Sequence, residues 1–342
     1  MYKLLSEKKS FLWRFWNRDG KGVEPGEDTT PTLKYFFKLF WRRFPRLLSL
    51  NLMMLGQVVP LIVAVVVYLL SNTTPTQSSL LFAPLYGIST IGTAPAASMW
   101  LTTINFQIGV PIFTLPTVIA YIASALVFIL TWGWQQVGAT YNLRSMVRHE
   151  PVYLASDYAY AVRKNAKQGL LVGMIDAIIL LLLGFDFAYF FTRGGSFMLD
   201  FMFFTISALI ILYALMRPYI YLMLITFDIK TSKIFKNALI FSILGIKRNI
   251  MAVLGIVLMA ALNVALIILG LSINFAVPII LPFFYFLAFS GFMSAYAVWP
   301  VIEKYMIQPF EKENGDGDDS DGDTDSKEDS DDGTASEAGQ PA

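Results

Sequence analysis

Long apolar stretches alternate with short basic ones along this chain, and the spacing is that of membrane-spanning hairpins. Residues 47–143 contain no Asp, Glu, Lys or Arg. Uncharged apolar runs of roughly 18 or more residues read as transmembrane helices. The pattern predicts six spans, at about 47–70, 113–137, 169–191, 201–226, 250–271 and 276–300. Each is long enough to cross a hydrocarbon core of ~30 Å as a helix. Helices are required because lipid offers no partner to backbone N–H and C=O groups. Pro60, Pro116, Pro278 and Pro282 lie in or near spans, and kinks are expected there.

The basic residues fix a topology on this pattern. Segments 1–46, 141–168, 217–248 and the C-terminal stretch hold 25 of the 26 Lys and Arg, and Arg193 is the exception. Cytoplasmic loops carry the Lys/Arg excess. Six spans with both ends cytoplasmic account for the distribution. Region 80–104 is apolar enough to be a seventh span, but one more crossing would move the cluster at 141–168 outside. Pro84, Gly87, Gly92 and Pro95 also interrupt any helix there. We read 72–108 as an extracytoplasmic or re-entrant insertion, allowed at membrane depth only against protein or a cavity.

Before the first, third and fifth spans stand TLKYFFKLFWRRFPRLLSLNLMM, SDYAYAVRKNAKQGLLVGMI and SKIFKNALIFSILGIKRNIMAVLGIV. Each joins an aromatic-bearing helix to a basic cluster and then a span. In the first, Lys34, Lys38 and Arg42 share one face, as in a helix lying in the interface. The expected architecture is an all-α integral membrane protein: a six-span helical bundle of three parallel repeats, each an interfacial amphipathic helix plus a transmembrane hairpin.

Composition agrees with this reading and adds two flanking parts. Hydrophobic residues make up 56% and charged residues 15%, with a mean hydropathy of +0.57. Soluble domains carry about 25% charged residues. Residues 1–31 read as a cytoplasmic basic arm and linker, and 1–18 is either an amphipathic interfacial helix or a frayed arm. The membrane domain covers 32–310. Residues 311–342 hold 13 acids and 2 lysines with no large apolar side chain, which predicts a disordered acidic cytoplasmic tail. Gly317, where a calcium loop needs Asp, spoils the EF-hand spacing of that tail. No cysteine is present, and the single histidine, His149, has no second ligand of its kind. No metal and no cofactor is expected.

Residues 133–180 read GWQQVGATYNLRSMVRHEPVYLASDYAYAVRKNAKQGLLVGMIDAIIL. Gly138 and Ala139, then Arg144, Arg148, Glu150 and Pro151, then Asp157–Tyr158 and Asn165–x–Lys167–Gln168 together resemble the YesL-like family of bacterial integral membrane proteins. Residues 51–64, NLMMLGQVVPLIVA, are similar to that family's first span. The likeness covers roughly 45–300 and departs in the 72–108 insertion and the acidic tail. It implies a bacterial cytoplasmic membrane protein with an accessory role in carbohydrate uptake.

Asp176 is the sharpest candidate for chemistry, because an ionisable group near the middle of a span is costly and functional by default. It is expected to bind a proton, a cation or a sugar hydroxyl, or to hydrogen-bond Asn263 or Gln57 of neighbouring helices. Asn51, Gln57, Gln135, Gln136 and Asn263 more often join helices than bind ligand. Arg144, Arg148, Glu150, Asp157 and Lys167 form a candidate cytoplasmic docking or anionic-lipid site, or else a solvated loop. No Gly-x-Ser-x-Gly, His-Glu-x-x-His or phosphate-binding loop occurs, so catalysis is not expected. Two functions follow. One is an accessory or regulatory protein bound to a sugar-transporter or signalling subunit. The other is a secondary transporter or channel with a midplane site including Asp176. The lipid bilayer is the expected surroundings and nucleic acid is not an expected partner; oligomeric state stays open.

Overall fold

A computed structural model describes residues 27–70, 73–74, 110–111, 113–193 and 195–309. Nine α-helices are resolved among them: α1 (Leu33–Met54), α2 (Val59–Leu70), α3 (Leu115–Val147), α4 (Leu154–Lys164), α5 (Ala166–Thr192), α6 (Phe197–Thr226), α7 (Thr231–Leu244), α8 (Ile246–Ser272) and α9 (Leu281–Ile302). Six helical stretches are long and apolar enough to cross a membrane, as the sequence predicts. A second compact unit begins at Glu303, and its described part, residues 303–309, opens on a π-helical turn, Glu303–Ile307. The readings of 1–26, of 75–109 and of the acidic tail fall outside the described residues.

Local chemistry sets the helix boundaries. Thr32 caps α1 by accepting from the Tyr35 N–H at 3.2 Å, and Ser196 caps α6 through Leu199 at 3.4 Å. Pro60 has no N–H and its ring crowds the carbonyl of Gly56, so α1 and α2 are separated by a 3₁₀ turn at Leu55–Val58. The other three flagged prolines lie at helix starts or in a turn. Pro116 is in the first turn of α3, Pro278 is in the 3₁₀ turn Val277–Ile279, and Pro282 opens α9. The prolines inside helices are Pro45, Pro218 and Pro300.

The three-unit pattern is visible in the packing. Each unit runs first helix, outer helix, inner span: α1–α2–α3, α4–α5–α6 and α7–α8–α9. In the first unit α1, the 3₁₀ turn and α2 together form one 36-residue candidate span, Leu33–Tyr68, so, contrary to expectation, its first helix is not separate from the span. Asn165 joins α4 to α5 and Gly245 joins α7 to α8, at matching places in two of the units. The inner helices α3, α6 and α9 all contact one another. The outer helices α2, α5 and α8 each lie on their own inner helix. The first helix of each unit packs on the inner helix of the preceding unit, cyclically: α4 on α3, α7 on α6 and α1 on α9. Asn51 locks the last of these contacts. Its amide donates to Phe283 O at 2.6 Å and accepts from Ala288 N at 2.9 Å.

The chain leaves the first span and returns to the second at one point. Thr73–Thr74 pairs antiparallel with Val110–Pro111. Outer faces are apolar, as with Leu254, Leu258 and Leu262 of α8, each more than half exposed, which suits contact with lipid tails.

The tightest crossing is α3 on α5. A Cβ added at Gly133 would stand 2.8 Å from Gly173 Cα and 2.9 Å from Gly169 C, so only hydrogen fits there. Gly133→Ala is therefore expected to lower stability by about 1–3 kcal/mol. Gly184→Ala on α5 has nothing within 4 Å of the new carbon and should leave stability unchanged or slightly raised. Thermal unfolding in detergent, followed by far-UV circular dichroism, checks both.

Candidate functional site

Asp176 sits near the middle of α5, fully buried. Its partners are neither Asn263 nor Gln57. Oδ2 accepts from Trp132 Nε1 at 2.8 Å, from Tyr221 OH at 2.6 Å and from Arg217 Nε at 3.0 Å. Oδ1 accepts from Tyr213 OH at 2.7 Å and Arg217 Nε at 3.2 Å. A carboxylate has about four lone-pair positions. Those of Asp176 are filled by protein donors from α3 and α6, which leaves no capacity for a cation or a sugar hydroxyl.

Arg217, Trp132, Tyr213 and Tyr221 are site residues that the sequence reading does not place here. Arg217 belongs both to the basic segment 217–248 and to the span expected at 201–226. That overlap was the available signal. The ion pair takes only Nε, and the guanidinium carbon lies 5.2 Å from the Trp132 ring centre and 5.6 Å from that of Tyr221. Nη2 is buried without a hydrogen-bond partner. An orphan of this kind calls for an explanation.

A cavity of about 770 Å³ occupies the space between the inner helices, and Arg217 is in its wall. All three helices contribute stripes at helical spacing: Trp132, Gln136, Thr140 and Leu143 from α3, Tyr213, Arg217, Tyr221 and Leu222 from α6, and Leu287, Gly291, Ser294 and Ala295 from α9. Leu143, Leu222 and Ala295 are buried and close the end nearest the helix C-termini. Lining residues at the other end, such as Leu61, Leu180 and Leu287, are 48%, 37% and 38% exposed. Pro218 provides no N–H for the Ala214 carbonyl, and both residues line the same wall. Among the described residues of the lining, Arg217 is the one charged side chain.

Gln57 reaches the cavity wall but serves α3, donating to Phe128 O at 2.8 Å and accepting from Thr131 at 3.1 Å. Asn263 is elsewhere. It accepts from Tyr285 OH at 2.6 Å and ties α8 to α9. The proposed trio of Asp176, Asn263 and Gln57 is therefore not one cluster.

The cytoplasmic candidates are also divided by the fold. Arg144 is buried and donates to Ile225 O at 3.3 Å and Thr226 Oγ1 at 3.2 Å, closing the C-terminal end of α6 against α3. Asp157 accepts from the Tyr153 N–H at 2.7 Å and braces the start of α4, and burial raises its pKa. Arg148 pairs with Glu150 at 3.2 Å and lies over Trp299 at 5.1 Å, with both charged side chains still partly exposed. Lys167 is exposed at the start of α5. Tyr158 packs its ring where a side chain on Gly138 would stand and donates to Gln135 at 2.6 Å. Burial pushes its hydroxyl up to about 12.

His149 ends α3. Its φ of 64° is left-handed, and the next N–H, that of Glu150, returns to Ser145 O at 2.9 Å in a Schellman-type closure. Tyr35 OH lies 3.3 Å from Nε2. Among the described residues no group of three or more metal-binding side chains occurs.

The fold defines an all-helical, multi-pass membrane protein with an internal cavity. No family model, no curated protein and no solved structure matches this chain.

Two outcomes are expected. Asp176→Asn leaves Arg217 without its counter-charge and should cost about 3–5 kcal/mol, whereas Asp176→Asn with Arg217→Gln should recover much of the loss. Thermal unfolding of the four proteins in a double-mutant cycle measures this. His149 has its pKa lowered by burial first and by Arg43 and Arg42 next. The folded state therefore resists protonation that the unfolded chain accepts near 6.5. Stability should be full above that value and fall as pH drops below it. His149→Gln should flatten that part of a stability-versus-pH curve.

Proposed function

We propose that the chain is a non-enzymatic transporter of a small solute, which binds in the cavity enclosed by α3, α6 and α9. The observation that carries this reading is the cavity itself, between the inner helices, with buried lining residues at the end nearest the helix C-termini and exposed ones at the other. Its volume falls within the ~300–1,000 Å³ usual for small-molecule sites. Three like-oriented units around a central site suit alternating access by rocking of one element against the others. In this reading Asp176 does not touch the solute. It holds Arg217, which does.

The Lys and Arg distribution supports cytoplasmic positions for both ends. The cavity would then be closed toward the cytoplasm and open toward the outside. The resemblance to the YesL-like family supports a bacterial cytoplasmic membrane, and it carries a second reading, an accessory subunit for carbohydrate uptake. Arg148, Glu150 and Lys167, the exposed members of the cytoplasmic cluster, are the residues a partner subunit would meet.

The test begins with a thermal-shift survey of purified protein against anionic, neutral and cationic solutes, followed by uptake into proteoliposomes of whichever solute stabilises it. Ala214→Trp places a large ring in the cavity wall one turn before Arg217 and should abolish both responses with the fold intact. If no solute stabilises the protein, or if Ala214→Trp responds like the parent, the transport reading fails. A stoichiometric partner retained in mild detergent, with no solute response, would instead establish the accessory reading.

A further inference from the structure

Resting on the solute-binding reading above, we infer that the solute is an anion, a carboxylate or phosphate monoester on a compact apolar body, and that the Arg217 guanidinium receives its charged end. Four observations converge on this. First, Nε alone bonds the Asp176 carboxylate, so the Nη pair of the guanidinium is not used by the ion pair. Nη2 is buried without a partner, and the Arg217 side chain, 28% exposed, lines the cavity. Arginine binds carboxylates and phosphates through guanidinium N–H groups that no other partner has taken.

Second, the ion pair turns its positive end to the cavity: Arg217 is in the described lining and Asp176 is not. The Asp176 carboxylate faces three neutral donors, Trp132, Tyr213 and Tyr221, as well as Arg217. Among the described residues no carboxylate lines the cavity. In apolar surroundings that orientation favours an incoming counter-charge near the guanidinium.

Third, the wall offers neutral polar groups for the rest of the head. Gln136 and Thr140, one turn apart on α3, line the cavity, and their side chains have no hydrogen bond within the described structure. Gln57 and Gln135, by contrast, are already engaged with Phe128, Thr131, Met53 and Tyr158.

Fourth, apart from Ser290 and Ser294, whose hydroxyls bond carbonyls of their own helix, the rest of the described wall is apolar, and Phe128, Leu180 and Ile210 would face the body of the solute. A fully hydrated polyol would leave most of its hydroxyls unpaired against such a wall. An anion with a short apolar body loses little on burial and gains the guanidinium.

The experiment uses the full chain in nanodiscs of phosphatidylcholine, whose zwitterionic headgroups offer little competition. Hexanoate, hexyl phosphate, hexanol and hexylammonium share one tail and differ in the head. Thermal stability is read against concentration for each. Hexanoate or hexyl phosphate should stabilise the protein at concentrations about tenfold or more below those at which hexanol acts, and hexylammonium should do nothing. Asp176→Asn with Arg217→Gln, which removes both charges together, should erase that difference and leave the weak hexanol response. Gln136→Leu, which keeps the ion pair, should weaken the anions and spare hexanol.

Repeating the titration in nanodiscs containing phosphatidic acid separates two sources of the same chemistry. Competition by the lipid assigns the site to a membrane-derived anion, and undiminished response to hexanoate assigns it to a soluble one. Equal responses to hexanol and hexanoate in the parent protein would overturn anion recognition while leaving solute binding intact. No response to any of the four would overturn both.

Discussion

A carboxylate placed mid-span in a lipid-facing bundle has to be neutralised and hydrogen-bonded on the spot, and the centre of this protein is arranged around meeting that demand for Asp176. The charge comes from α5, and its donors come from α3 and α6. Three helices are thereby fixed in rotation and height, because indole, phenol and guanidinium groups must arrive at two oxygen atoms. The glycine crossing of Gly133 with Gly169 and Gly173 lets α3 and α5 come close enough for Trp132 to reach across. Small residues and the buried charge thus belong to one device: close backbone contact on one side, directed polar bonds on the other.

The same arrangement turns an arginine toward empty space. Arg217 is held by one nitrogen and flanked by two aromatic rings, so the side chain has little rotational freedom left. Preorganised donors in a low-dielectric setting interact far more strongly than they would in water. The proposed role of Asp176 differs accordingly from the one its position first suggested. It acts through its neighbour, and its own oxygens are never offered to a solute.

Much of the architecture was legible because hydropathy and Lys/Arg placement report directly on lipid exposure. The spans, their number and the three-unit order follow from those two signals. Helix ends were less legible. The second span read as 113–137, whereas α3 continues to Val147. Gln135, Asn142 and Arg144 look like an exit from the membrane in a hydropathy profile, yet each is buried and bonded to a neighbouring helix or to α4. Asp176 stood out as a lone acid among apolar residues. Trp132, Tyr213 and Tyr221 did not, since the chain has 28 Phe, 16 Tyr and 7 Trp, and only inter-helix register distinguishes three of them. Asn263 misled for the same reason, its partner Tyr285 being one helix away in the next span.

The cyclic docking of first helices onto preceding inner helices has a consequence for biosynthesis. α1 is the first described helix to leave the ribosome, and the surface it packs against is α9, the last of the six spans. Until α9 inserts, Asn51 has neither the Phe283 carbonyl nor the Ala288 amide to bond, and the side of α1 that faces α9 has no cover. The ring cannot close early. A nascent chain arrested before α9 would hold two inner helices, a half-walled cavity and a polar side chain waiting in lipid, which is the kind of surface that membrane quality control removes. Insertion of α9 and completion of the cavity are, for this topology, the same event.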